Sequence, residues 1–122
     1  MVAAWELPEA LQHLADSGDM DAVNDIMETY MSDTAGRLLL LAEAMQKQDR
    51  ARLRAQAHAI KGSSEQVGAI EMAAFCLNIE LLATEGPIPE LIRLVARCEI
   101  EFERLRQLWK RIVSPSFETN AR

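Results

Sequence analysis

Glycine and proline are scarce, with five and four residues in a chain of 122. So few helix breakers permit long helices. Aromatic residues make up only 5%, which is low for an all-β protein. The Asn-Gly and Asp-Gly pairs that close tight hairpins do not occur. No apolar run approaches the ~20 residues that cross a bilayer, since the longest lies near Met72 to Leu77. The start of the chain lacks a basic segment and Pro8 interrupts it early, so no signal peptide is expected. The two cysteines, Cys76 and Cys98, have no motif spacing and are expected as small core residues in a reducing compartment. A soluble, cytoplasmic all-α domain is the expectation.

Nucleotide and metal chemistry lack their motifs as well. There is no P-loop, no glycine-rich nucleotide loop and no acidic cluster suited to Mg²⁺. His13, His58, Cys76 and Cys98 are too dispersed for a metal-binding bundle, and no Glu-x-x-His pair exists because positions 10 and 55 are alanine. Cofactors and metals are therefore expected to be absent from this chain.

Apolar residues form 49% of the sequence, enough for the core of one domain. Their 3.6-residue periodicity predicts helices over about 7–17, 19–47, 49–67, 69–85 and 89–113, followed by a flexible tail over 114–122. Pro8 opens the first helix and Gly18 ends it; Asp19 and Asp49 can cap the second and third. Gly68 and Gly86 supply further stops. In the second helix Val23, Ile26, Met27, Tyr30, Leu38, Leu41 and Met45 are assigned to the inward face. The fourth is expected to bury Ile70, Ala73, Ala74, Leu77 and Leu81. The fifth is assigned Leu91, Leu94, Cys98, Phe102, Leu105, Trp109 and Ile112. Short connections force antiparallel neighbours. The predicted architecture is an antiparallel up-down four-helix bundle with a short extra N-terminal helix at one end, filling a single domain over 1–113.

Charge is unevenly spread. Residues 1–46 carry nine acids against one base, a net −8, whereas 47–61 carry five bases against one acid, a net +4. The whole chain is −6. Such an acidic surface is a poor match for nucleic acid, and the basic island is too small to grip a duplex.

That island lies on the third helix, where the chemistry concentrates. At ~100° per residue, Leu53, Ala57, Ile60, Ser64 and Val67 share one arc, the core side. His58 points nearly the opposite way. Arg54, Lys61 and Glu65 flank it on one side, and Ala51, Ala55 and Gly62 on the other. A glycine inside a helix costs roughly 1 kcal/mol relative to alanine. Gly62 follows His58 by one turn, where a side chain would shade the ring. Close helix packing also favours glycine, but Gly62 is far from the core arc. Lys61, three residues after His58, can pair with an anion held on the imidazole. Arg50, Arg52 and Arg54 sit toward the positive end of the helix dipole, where cations are disfavoured; simple solvation explains Arg50 and Arg52 equally well.

The run Ala57-His58-Ala59-Ile60-Lys61-Gly62-Ser63-Ser64, followed by Val67-Gly68-Ala69, closely resembles the signature of the histidine-containing phosphotransfer (HPt) family. The family pattern has a histidine, a lysine three on, a glycine four on, small residues and a second glycine. Tyr30 and Asp33 also stand where that family commonly has an aromatic and an acid, and the resemblance extends over about 7–112.

It implies a phosphorelay intermediate of two-component signal transduction. His58 would accept a phosphoryl group through Nε2 from the aspartyl phosphate of one response-regulator receiver domain and pass it to another. Lys61 would hold the phosphoryl oxygens, and Gly62 would clear the approach. Gly62, Ala51, Ala55, Arg54 and Glu65 would take part in docking. The resemblance further implies a phosphocarrier without kinase activity, monomeric, with Mg²⁺ supplied by the partner receiver. That partner includes the receiver of a hybrid sensor kinase, of which this chain could equally be an excised module. The competing expectation is a helical adaptor that keeps the fold and binds signalling proteins without carrying phosphate.

Overall fold

The computed structural model describes residues 8–113. The predicted tail over 114–122 lies outside them. Five helices follow one another: α1 (Glu9–Asp16), α2 (Met20–Gln46), α3 (Arg50–Gln66), α4 (Ile70–Leu82) and α5 (Ile88–Val113). The described residues contain no strand. Helices α2 to α5 pack in order, each on the next, and α5 closes back on α2; α1 packs against α2. The result is an all-α four-helix bundle with a short leading helix.

One turn chemistry is used three times. After α1, the amides of Gly18 and Asp19 donate to the carbonyls of Ala15 and Leu14. After α2, Gln48 and Asp49 donate to Met45 and Ala44; after α3, Gly68 and Ala69 donate to Glu65 and Ser64. Each pair is a Schellman closure, which needs a left-handed residue at its pivot. Gly18 (φ 88°) and Gly68 (φ 74°) provide it, and Gln48 does so at φ 52°, at a cost of roughly 1 kcal/mol for an L side chain. The next residue then starts the following helix. Asp19 accepts from the Ala22 amide at 3.2 Å and Asp49 from the Arg52 amide at 3.1 Å, satisfying amides that a helix N-terminus leaves unpaired. Reversals this short make successive helices antiparallel.

The core takes Val23, Met27, Tyr30, Leu38 and Leu41 from α2, and Leu53, Ala57 and Ile60 from α3. Met72, Cys76 and Ile79 come from α4, and Leu91, Cys98, Leu105 and Trp109 from α5. Leu11 of α1 joins them. Cys76 and Cys98 face each other at 3.9 Å as free thiols. The hydrogen bond to Cys76 and burial push the Cys98 thiol far above its ordinary range, so it stays a neutral, small core residue.

Several predicted inward positions are wrong. In α4, Ile70, Leu77 and Leu81 are 77%, 40% and 70% exposed, and Ala74 is exposed too; of that stripe only Ala73 is buried. The helix is apolar nearly all round, so its periodicity offered two faces, and Met72, Cys76 and Ile79 occupy the inner one. Ile26 of α2 is exposed because the inward position is held by Met27, and adjacent residues diverge by ~100°. Ile112 is exposed in the last turn of α5. α4 also ends at Leu82, earlier than expected.

A polar link crosses the core behind α3. The Tyr30 hydroxyl and Ser64 Oγ lie 2.8 Å apart, both buried. Burial pushes the phenol of Tyr30 up to about 12, against the opposite pull of Ser64. The folded state therefore favours the neutral phenol. That stability is fully present below the unfolded value near 10 and is lost as pH rises from 10 to 12, a decrease of about 2–3 kcal/mol. Tyr30 is the sole tyrosine, so phenolate absorbance should rise together with loss of helical circular dichroism in an alkaline titration. Ionisation well before unfolding would contradict this.

Candidate functional site

Helix α3 presents its polar face outward because Leu53, Ala57, Ile60 and Ser64 are drawn into the bundle. His58, nearly opposite that arc, has a side chain 66% exposed. Gly62 is exposed beside it, and nothing lies within 4 Å of where a Cβ would stand. Close helix packing therefore does not explain this glycine. Ala51, Arg54, Ala55, His58 and Glu80 line one shallow depression of about 330 Å³. Lys61 and Glu65 lie on the other side of the ring, along the groove between α3 and α4.

The residue that organises the site is Glu80 of α4, which the sequence reading did not single out. Its Oε2 lies 2.9 Å from His58 Nδ1 and its Oε1 lies 3.1 Å from Lys61 Nζ. One carboxylate thus holds both the imidazole and the ammonium. Burial works to raise the Glu80 carboxyl, but Lys61 and His58 outweigh it and keep it below the ordinary carboxylate range. At neutral pH it is ionised and can only accept. The proton between the two groups therefore sits on His58 Nδ1, so the neutral form of the ring carries its lone pair on Nε2. Among the described residues Nε2 has no hydrogen-bond partner.

Glu80 left one trace in the sequence. Apart from Glu71 in the first turn, it is the only charged residue in α4. A carboxylate inside so apolar a helix invites the question of what it faces. The distance of 22 residues from His58 hides the answer, because only the packing of α3 on α4 brings them together.

Three other bases of the island have structural partners, Lys47 among them through Glu43. Arg50 donates to the Ala83 carbonyl at 3.1 Å, at the C-terminal end of α4, where a cation suits the helix dipole. Arg52 lies 3.9 Å from Asp49. Asp33 pairs with Arg37, which also reaches Gln56 of α3. Among the described residues no cluster of three His, Cys, Asp or Glu could hold a metal ion, and no helix is long and apolar enough to cross a membrane.

Three comparisons bear on this arrangement. The Hpt domain family matches residues 25–108. Histidine-containing phosphotransfer protein 2 of Arabidopsis thaliana is 24% identical over 99 residues, covering 79% of this chain and 64% of the Arabidopsis protein. The crystal structure of histidine-containing phosphotransfer protein B (HptB) from Pseudomonas aeruginosa PAO1 superimposes with a TM-score of 0.77 at 29% identity, covering 89% of this chain and 95% of that one. Because the family pattern takes in all of α2 from Asp25 onward, the entire His58 helix and the Glu80 helix, the chain belongs to the Hpt domain family.

Proposed function

We propose that this chain is a phosphorelay intermediate, which takes a phosphoryl group from the aspartyl phosphate of one receiver domain onto His58 and hands it to another. The observation that carries the reading is the bond from His58 Nδ1 to Glu80. It selects the tautomer whose Nε2, on the exposed ring, carries the lone pair, which is the nucleophile such a transfer requires.

In the forward step the Nε2 lone pair attacks phosphorus, the N–P bond forms, and the bond from phosphorus to the aspartyl oxygen breaks. The aspartate leaves as a carboxylate. From the neutral ring with its proton on Nδ1, no proton has to move. The phosphorylated ring keeps its Nδ1 proton and acquires cationic character, which the Glu80 carboxylate opposes electrostatically, as a buried aspartate does for the histidine of a hydrolase triad. In the onward step the same cationic ring is a good leaving group. Lys61 faces the phosphoryl oxygens, in a transition state that depends mainly on positioning and charge. Mg²⁺ belongs to the receiver.

Hpt domain proteins carry a phosphoryl group and are not kinases in the usual sense; on this reading the chain has no kinase activity of its own. It acts in the cytoplasm as a monomer, docking through Ala51, Arg54, Ala55, Gly62 and Glu65 around the ring. The deciding experiment is incubation with receiver domains charged by acetyl phosphate. The chain should acquire an acid-labile, base-stable label, and failure to acquire it from any receiver of the same genome would remove the proposal.

The access role of Gly62 makes stability and activity move in opposite directions. Gly62→Ala should stabilise the fold by about 0.5–1 kcal/mol through helix propensity, since a Cβ there meets nothing. The same methyl should slow transfer from a receiver several-fold, by about 1 kcal/mol of obstructed approach. Thermal unfolding beside transfer kinetics checks both; a stabilised variant with undiminished transfer would deny Gly62 that role.

A further inference from the structure

One base of the charged island has no partner of its own. Lys47 pairs with Glu43, Arg50 donates to the Ala83 carbonyl, Arg52 lies by Asp49, and Lys61 holds Glu80. Arg54 is exposed, and among the described residues no hydrogen bond or ion pair engages it. Ordering a long side chain costs entropy, so an unpaired guanidinium is unremarkable on most surfaces. The position of this one is not ordinary, because it lines the same depression of about 330 Å³ as His58 and Glu80. We propose that Arg54 is a second phosphoryl-binding cation, which closes on the oxygens of the group that His58 carries. The inference rests on the phosphorelay reading and gives Arg54 a role besides docking.

Helix geometry brings the two side chains together. Residues four apart share one face, with Cβ atoms about 5–6 Å from each other. Helical side chains lean toward the N-terminus, so the ring of His58 lies over the turn that holds Arg54 and Ala55. The shared depression is the result. Its other α3 residues, Ala51 and Ala55, carry only methyl groups, which leaves a long arginine stem room to swing toward the ring.

Charge gives the second cation its purpose. Glu80 engages both carboxylate oxygens, one with His58 Nδ1 and one with Lys61 Nζ, and has none left for Arg54. The Lys61 charge is thus largely cancelled before any phosphate arrives. A phosphoryl group then adds about two negative charges, and the cationic ring offsets only one of them. Arg54 supplies the positive charge that the assembled site lacks. Unlike Lys61 it is uncommitted in the resting protein, and its planar fork can grip two phosphoryl oxygens at once. The two cations flank the ring, Lys61 in the groove toward α4 and Arg54 in the depression on the other side.

Phosphoramidate separates this role from docking, because so small a donor makes no protein–protein contact. His58 Nε2 attacks its phosphorus, the N–P bond to the ring forms, the donor's P–N bond breaks and ammonia leaves. Arg54→Gln should take up this label about fivefold more slowly than wild type, the scale of an exposed charge contact. The difference should narrow as salt is added. In phosphorus NMR of the labelled chains, the phosphoryl group should titrate a few tenths of a pH unit higher in Arg54→Gln, since a nearby cation favours the dianion. Arg54→Lys should recover part of both effects. Lys47→Gln, which removes the same charge at the end of α2, should match wild type. A wild-type phosphoramidate rate and an unmoved phosphorus titration in folded Arg54→Gln would overturn the inference. Slower transfer from charged receivers alone would then leave Arg54 a docking residue and the relay intact. If no charged receiver labels even the wild type, the relay reading falls and takes this role with it, a result distinct from the first.

Discussion

His58→Gln should abolish acceptance of label from a charged receiver, by at least ~10³-fold, because loss of a nucleophile removes the reaction path. The fold should survive. The imidazole is largely exposed and no core residue depends on it, so stability should stay within about 0.5 kcal/mol of wild type. Glutamine is chosen because its side-chain amide can donate to the Glu80 carboxylate, sparing Glu80 and Lys61 a broken contact, while it has no nucleophilic nitrogen lone pair. Retained labelling in a folded His58→Gln protein would place the phosphoacceptor elsewhere. The other histidine, His13, is an exposed residue of α1 without a lysine and glycine spaced as Lys61 and Gly62 are.

Glu80→Ala should be the next most damaging change. It removes the acceptor that holds the proton on Nδ1 and frees the ring to rotate and exchange tautomers. It also releases the Lys61 ammonium from its 3.1 Å partner. Losing an orienting partner of a reactive histidine costs about 10–100-fold, and that loss should appear in the rate of transfer. Glu80 does not touch the phosphoryl group in this scheme, so it is a positioning residue, and rate alone is insufficient evidence. Nitrogen NMR of the ring should show Nδ1 protonated in wild type and a mixture of tautomers in Glu80→Ala. Glu80→Gln keeps an oxygen that accepts from Nδ1 but loses the charge, so it should restore the tautomer and only part of the rate. A tautomer unaffected by Glu80→Ala would reduce the carboxylate to a helix-to-helix tie.

Much of this protein is legible in its sequence because the signals are local. The caps at Asp19 and Asp49 and the pivots at Gly18 and Gly68 depend on residues within a turn of each other, so helix ends are found near where they are read. The wheel of α3 divides its apolar and polar residues cleanly, so the burial of Leu53, Ala57, Ile60 and Ser64 and the exposure of His58 both follow from it. The role of Arg50 was not legible: its position near the helix start looked unfavourable, and its partner is a carbonyl on α4.

The sequence by itself determined which segments are helical, which face of α3 is buried, and which histidine stands out with a lysine and a glycine beside it. These follow from hydrogen bonds and hydrophobic periodicity that act within a few residues. Only the tertiary structure decided which of two apolar faces of α4 turns inward, and hence that Ile70, Leu77 and Leu81 remain outside. The same packing set the register that brings Glu80 against His58 and Lys61. A helix apolar on most sides has no preferred direction of its own; its orientation is chosen by how well it fills the space left by its neighbours.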